Sequence, residues 1–430
     1  MSASTQPGTG PDSGMQPGGT QPGGGTGPGQ ERGSGSGAQP DLLYTDIEED
    51  LRSTVRDVLA DRCPPASLSA RVEAAAEGAA DGGPADGRSA EPSARASARP
   101  YDPALWRVLG ADLGLAGLLV PEKLGGQGAS AREAAVVLEE LGAGVAPTPF
   151  LGSAVLATSA LLACDTADAG VAALLGSLAS GAATGALAVP LAAAPGSAFP
   201  GAVRADAAGR LTGTVTSVAD ALAADVLVVP AVGPDGPGLY EVAAGDAAVT
   251  PFVSLDLTRP LADVAFDGAA ARPLPSADAA AALDAALLAG AGLLASEQLG
   301  LAQWCLDETV RYLGERHQFG RVVGGFQAIK HRLADLWLEV VSLRAAARSA
   351  ADALATGTDA AIAVRVAQAY ASGVAVHAAE EAVQLHGGIG MTWEHPLHLY
   401  LKRAKADQIA VGTAGRHRAA LAPLLDLPAA

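Results

Sequence analysis

The sequence predicts a multidomain α+β protein in which helices come first, short strands follow, and long helices close the chain. Three observations carry this. Ile47, Leu51, Val55 and Leu59 recur at four-residue spacing, which puts them on one helical face. From about Ala186 to Leu274 short Val- and Leu-rich runs alternate with Gly, Asp and Pro, which is how strands are punctuated. After Ser276 the pattern becomes long helices, and Phe326, Ile329, Leu333, Leu336 and Val340 fall on one face at bundle spacing.

The elements follow in order. Residues 1–40 are Gly, Pro, Ser, Thr and Gln with almost no large apolar side chain, so they cannot bury enough surface to offset ordering entropy, and a disordered tail is expected. Residues 41–185 read as a helical domain. Thr45 and Glu48 are spaced as a capping box at its start. Within it, residues 64–100 are again rich in Pro, Ala, Gly and Ser and read as a flexible insertion. Helical patterning resumes at Ala131–Leu141 and around Leu151–Leu175. Residues 186–275 read as a small β domain, with strands expected at Leu187–Val189, Leu211–Val218, Val226–Val229, Ala247–Val253 and Val264–Phe266. Residues 276–430 read as a helical bundle.

Composition narrows the function. A chain of 430 residues is too long for one small core. Its residues are 49% hydrophobic but only 4% aromatic, so the apolar mass is Ala, Leu and Val, which suits close-packed helices. A net charge of −18 disfavours sequence-independent binding to nucleic acid or to anionic lipid, without preventing a local basic pocket for phosphates. The apolar run Ala285 to Ser296 has 12 residues, too few to span a bilayer. The N-terminus lacks the pattern of a signal peptide. Cys63, Cys164 and Cys305 are far apart with no metal-ligand spacing, so neither a disulfide framework nor a metal is expected, and a cytoplasmic setting is.

The chemistry concentrates in two blocks. The first is Glu315-Arg316-His317-Gln318-Phe319-Gly320, with Gln327 seven residues on. The second is Gln384-Leu385-His386-Gly387-Gly388-Ile389-Gly390. Arg316 can fork onto a pyrophosphate, Phe319 can stack on an adenine, and Gly387 and Gly388 let a ligand approach the backbone. With Phe326–Asp335 after the first block, Met391–Tyr400 after the second, and Pro121-Glu122-Lys123-Leu124-Gly125-Gly126 earlier, the set resembles the acyl-CoA dehydrogenase family. The resemblance spans roughly residues 41–430. It implies a helical N-terminal domain, a middle β-barrel or sandwich, a C-terminal four-helix bundle, and FAD bound through Arg316, Gln318, Phe319, Gln327, Gln384, Gly387 and Gly388. In such enzymes a carboxylate takes a proton from Cα of an acyl-CoA thioester and a hydride leaves Cβ for the flavin.

Departures from the family pattern are one-sided. Where the family commonly keeps its base, residues 410–413 place Val411. The alternative base position, counted back from Arg316, falls at about Gly290. Asp407, Asp284 and Asp278 are the nearest acids, of which Asp407 is the weak candidate for a relocated base. In the β domain, Thr216 stands for the family's flavin-side tryptophan and Val218 for its threonine, and residues 189–197 lack the usual loop sequence. The pattern resembles actinobacterial acyl-CoA dehydrogenases built from two different subunits, some acting on steroid side-chain CoA thioesters. It implies a subunit that completes an FAD site with a homologous catalytic partner, acts on acyl-CoA, and passes electrons to electron-transfer flavoprotein or a similar acceptor. Two alternatives stand beside it: a self-sufficient homotetramer using Asp407, and a flavin-free scaffold.

Overall fold

The computed structural model describes residues 42–65, 67–72 and 101–427. The expected disordered tail and most of the expected insertion lie outside these residues. One part of the insertion does not: residues 67–72 are helical, and Leu68 and Val72 are buried in the core, because these two apolar side chains have a surface to cover.

The N-terminal helices are α1 (Asp46–Arg62), α2 (Pro103–Trp106), α3 (Ala131–Ala143), α4 (Thr158–Leu162) and α5 (Ala169–Ala179). A π-helical turn, Phe150–Ala157, leads into α4. Helix α1 starts with the capping box of Thr45 and Glu48. Its apolar face is shorter than the spacing predicts: Val55 and Leu59 are buried, but Ile47 is 75% exposed. Glu48 is buried instead, where Arg132 of α3 pairs with it at 2.7 Å.

Eight strands, among them β1 (Gly185–Leu187), β2 (Val203–Ala205), β6 (Ala248–Phe252) and β8 (Arg272–Leu274), form one sheet in the order β6-β7-β3-β2-β4-β5-β8, with β1 added in parallel to β4. Here β3 is Arg210–Ala219, β4 Val226–Gly233, β5 Gly236–Ala243 and β7 Leu261–Ala270. All five strand regions expected from the sequence contain or adjoin strands. Strand β5 had no signal, since its Gly-Pro-Gly start hides it until the turn between Gly233 and Gly236 folds it onto β4.

The C-terminal helices are α6 (Ala279–Glu315), α7 (Gln327–Thr356), α8 (Ala360–His386), α9 (Leu397–Asp407) and α10 (Ala414–Leu424). Asp278 caps α6 through the N–H groups of Ala280 and Ala281, and Gly357 ends α7 at φ +75°. Helix α6 runs against α3 at two glycines. A Cβ on Gly300 would sit 1.7 Å from the Glu139 carbonyl, and one on Gly142 2.0 Å from that of Glu297. Only glycine allows that approach. By length and composition α6 could cross a membrane, but 67% of its apolar stretch is buried, so it is the core helix of the bundle. Helices α6, α7 and α8 are joined by short connections, which puts the end of α6, the start of α7 and the end of α8 together.

Candidate functional site

The end of the bundle gathers the residues of both sequence blocks. Arg316 leaves α6 in extended conformation. Residues His317–Gln318 (β9) then pair antiparallel with Arg321–Val322 (β10), leaving Phe319 and Gly320 as a two-residue turn. Their φ values are +53° and +75°. Positive φ at both positions is the type I′ hairpin, which favours Asn-Gly. A phenylalanine at the first position is strained, and strain of this kind persists where the surroundings need it. Phe319 is also 91% exposed. Inward of it, Phe326 meets its ring edge-on at 6.2 Å, and the Arg321 guanidinium lies 3.7 Å over Phe326.

Helix α7 begins beside this hairpin at Gln327, with no side chain capping its first turn. Its exposed N–H groups and dipole favour negative charge. At the end of α8, Gln384 is exposed, Gly387 has φ +65°, and a Cβ on either Gly387 or Gly388 would meet nothing within 4 Å. The Tyr312 ring stacks on His386 at 4.3 Å, tying the ends of α6 and α8 together. Thus Arg316, Gln318, Phe319, Gln327, Gln384, Gly387 and Gly388 all lie exposed at one end of the bundle. Sequence reasoning missed Arg321, whose role as the platform behind Phe326 appears only in the folded hairpin.

The two candidate base positions lie elsewhere, and they converge. A Cβ built on Gly290 would lie 3.6 Å from Cγ1 of Val411 and 2.4 Å from Cδ2 of Leu156. The spot is apolar and filled. Val411 is 1% exposed and has φ +45°, an outlier for a β-branched residue. It is held there because its N–H donates to the Leu191 carbonyl at 2.7 Å and its carbonyl accepts from His417 Nε2 at 3.0 Å.

The 191–197 segment lies directly on this turn. A Cβ on Gly412 would be 2.7 Å from that of Ala194. The Leu191 N–H donates to Ser217, the Gly196 N–H to Asp284, and Arg365 Nη1 donates to the Pro195 carbonyl at 3.4 Å. Thr216 is exposed and Val218 buried in β3, flanking a bulge at Ser217. The gap left beside this segment, lined by Val189, Ser197, Phe199, Leu283, Asp284 and Leu287 among others, holds about 70 Å³. That is room for a few waters.

The three acids named from sequence have structural work. Asp278 caps α6, and Asp284 binds the Gly196 N–H. Asp407 is fully buried in an ion network that joins the segment before β7 to α6 and α9, away from any opening. Arg259 donates to Asp407 at 2.6 Å and to Glu297. Arg403 donates to Asp256 at 2.6 Å, to Glu297, and to Thr258 at 2.6 Å. For Glu297 burial raises the pKa, but Arg259 and Arg403 together outweigh it and hold it below the usual range. Burial dominates at Asp407 and pushes it up to about 8. Its Oδ2 has no partner. The Arg259 and Arg403 guanidinium groups thus share Asp256, Glu297 and Asp407 in one closed network. An acid sealed in this way is part of the frame and not a base facing substrate.

The site therefore has two unequal halves. The outer face offers a cation, an aromatic, amides and a bare glycine turn, which fit the adenine and pyrophosphate of FAD. In the inner half, positions 290 and 411 carry no carboxylate, and the spot where they meet is apolar and filled. A helical N-terminal part, a middle sheet and a C-terminal helical bundle in this order make the layout of a flavoprotein-type dehydrogenase fold.

Residues 88–182 match the acyl-CoA dehydrogenase N-terminal domain and residues 280–424 the acyl-CoA dehydrogenase C-terminal domain. The chain belongs to the acyl-CoA dehydrogenase family. It is 37% identical to acyl-CoA dehydrogenase IpdE2 of Mycolicibacterium smegmatis over 73% of its own length and 85% of that protein. Among solved structures it resembles the ChsE4-ChsE5 complex from Mycobacterium tuberculosis at 30% identity and TM-score 0.75, covering 91% of this chain and all of that one. It also resembles the Tcur3481-Tcur3483 steroid ACAD G363A variant at 30% identity and TM-score 0.73, covering 88% of this chain and 98% of the other.

Proposed function

We propose that this chain is one subunit of a heteromeric acyl-CoA dehydrogenase and completes, through its bundle end, an FAD site whose flavin ring and base belong to a homologous partner. The observation that carries this is the contrast between the halves: Phe319 is held strained and exposed on a hairpin tip, while Gly290 and Val411 meet in a filled apolar spot. FAD, when bound, supplies acceptance of the hydride. Arg316 neutralises the pyrophosphate, Phe319 covers the adenine, Gln318, Gln327 and Gln384 donate amide hydrogen bonds, and the glycine turn leaves room for the backbone to approach. The substrate is a bulky acyl-CoA of the steroid side-chain kind, an assignment supported by likeness to a steroid enzyme of this family. Electron-transfer flavoprotein or a similar carrier takes the electrons.

Two measurements test this. Purified with its partner, the complex should hold one FAD per two chains, read from flavin absorbance against protein concentration. One FAD per chain, or turnover by this chain alone, would end the proposal, and a complex that never holds flavin would favour a scaffold. Arg316→Ala should weaken flavin retention by about 1.5–3 kcal/mol, the scale of a charge-assisted hydrogen bond. Folding should be unaffected, because the residue is exposed. Flavin content equal to that of the unaltered complex would count against the role.

A further inference from the structure

Beneath the glycine turn lies a group of side chains that the flavin reading does not use. Glu308 of α6, His386 at the end of α8 and His395 in the loop before α9 each offer a ligand atom, and these atoms lie within 4.8 Å of one another. His386 is 4% exposed. Its Nδ1 donates to the Ala382 carbonyl at 2.7 Å, which fixes the proton on that nitrogen. Its Nε2 is therefore a bare lone pair, and it is buried without any partner. A histidine held by a backbone carbonyl on one nitrogen and open on the other is the usual state of a metal-bound imidazole. His395 Nε2 lies 3.3 Å from Glu308 Oε1, and the two imidazole rings are 4.7 Å apart.

We propose that Glu308, His386 and His395 form a divalent transition-metal site of the two-histidine, one-carboxylate kind, best suited to Zn²⁺, which rivets the ends of α6 and α8 to the loop before α9. Three protein ligands leave one position for water. Binding needs only a change of tautomer at His395: the proton leaves Nε2 and one is taken up from solvent on Nδ1, with no net proton released and the loss of a 3.4 Å contact with the Leu397 N–H. No redox change is involved. Arg311 opposes the site, since its guanidinium forks onto both oxygens of Glu308 at 2.6 and 2.8 Å. It has an alternative, because Glu315 already lies 2.9 Å from its Nη1 and the side chain is 54% exposed. The cation thus displaces Arg311 toward Glu315. No ligand spacing along the chain marks this set, because the three residues are spread over three elements.

The test uses the untagged full chain, dialysed against EDTA and then titrated with Zn²⁺ at pH 7.5. One tightly held equivalent is expected, with a raised melting temperature. His395→Gln and Glu308→Gln should each lower the affinity by about 100-fold or more, at least the loss seen when outer-shell partners of a metal are removed. In EDTA both variants should melt cooperatively as the wild type does. Arg311→Ala should bind more tightly. With Co²⁺ in place of Zn²⁺ the visible d–d bands of a low-coordinate site should appear, and should vanish in His395→Gln. Absence of saturable uptake, or uptake unchanged in both His395→Gln and Glu308→Gln, overturns the proposal.

Discussion

Replacing Arg403 with Met is expected to cost about 3–5 kcal/mol of stability, the price of breaking a buried ion pair from one side. Arg403 is 2% exposed and donates to Asp256, Glu297 and Thr258. Without it Asp256 loses its only guanidinium hydrogen bond among the described residues, and the segment before β7 keeps its ties to α6 and α9 through Arg259 but loses those through Arg403. Asp407→Asn should behave in the opposite way. The native acid sits at about 8, against an ordinary value of 3.8, so the folded chain keeps a proton that the unfolded chain releases. Stability from this group is therefore full at low pH, falls between about pH 4 and pH 8, and is level above that. Asparagine imitates the protonated acid and does not titrate. The variant should gain on the wild type as pH rises through that window, by at most about 1.4 kcal/mol per pH unit. Chemical denaturation of both variants at pH 5, 6.5 and 8 measures this. If Asp407→Asn is instead destabilised by several kcal/mol at every pH, Asp407 is ionised in the folded chain.

Val411→Glu should destabilise the isolated chain by about 3–5 kcal/mol and bring no activity, although it restores the family's acid at the family's position. Two costs add. The longer side chain overpacks a spot already filled by Leu156 and closed by Ala194. A carboxylate there is also desolvated. Its folded pKa would be raised, so the loss should be smallest near pH 5 and grow toward pH 8. Val411→Gln serves as the control, carrying the steric cost without the titration. A variant as stable as the wild type, or one that binds flavin unaided, would show that the inner half is a working site.

Much of the fold was legible in sequence because it rests on local rules. The capping box at Thr45 and Glu48, the strand runs, and the bundle face through Leu336 and Val340 are set by neighbours a few residues away. The bundle-end residues were legible too, because hairpin and glycine turn are short continuous segments. What stayed hidden was long-range. Ile47 looked like core until Glu48 took the buried place beside Arg132. Asp407 looked like a spare acid until Arg259, 148 residues away, was found holding it.

By itself the sequence determined the family, the order of helix, sheet and helix, the residue set that gathers at the bundle end, and the absence of a carboxylate at positions 290 and 411. Only the tertiary structure decided that those two positions are one place, that the chain fills it with its own side chains, that Asp407 is locked in an ion network, and that Glu308, His386 and His395 meet. The physical reason is range. Backbone propensity and hydrophobic period act over a few residues and can be read along the chain, whereas burial, charge balance and ligand geometry depend on groups that only folding brings within a few ångströms of each other.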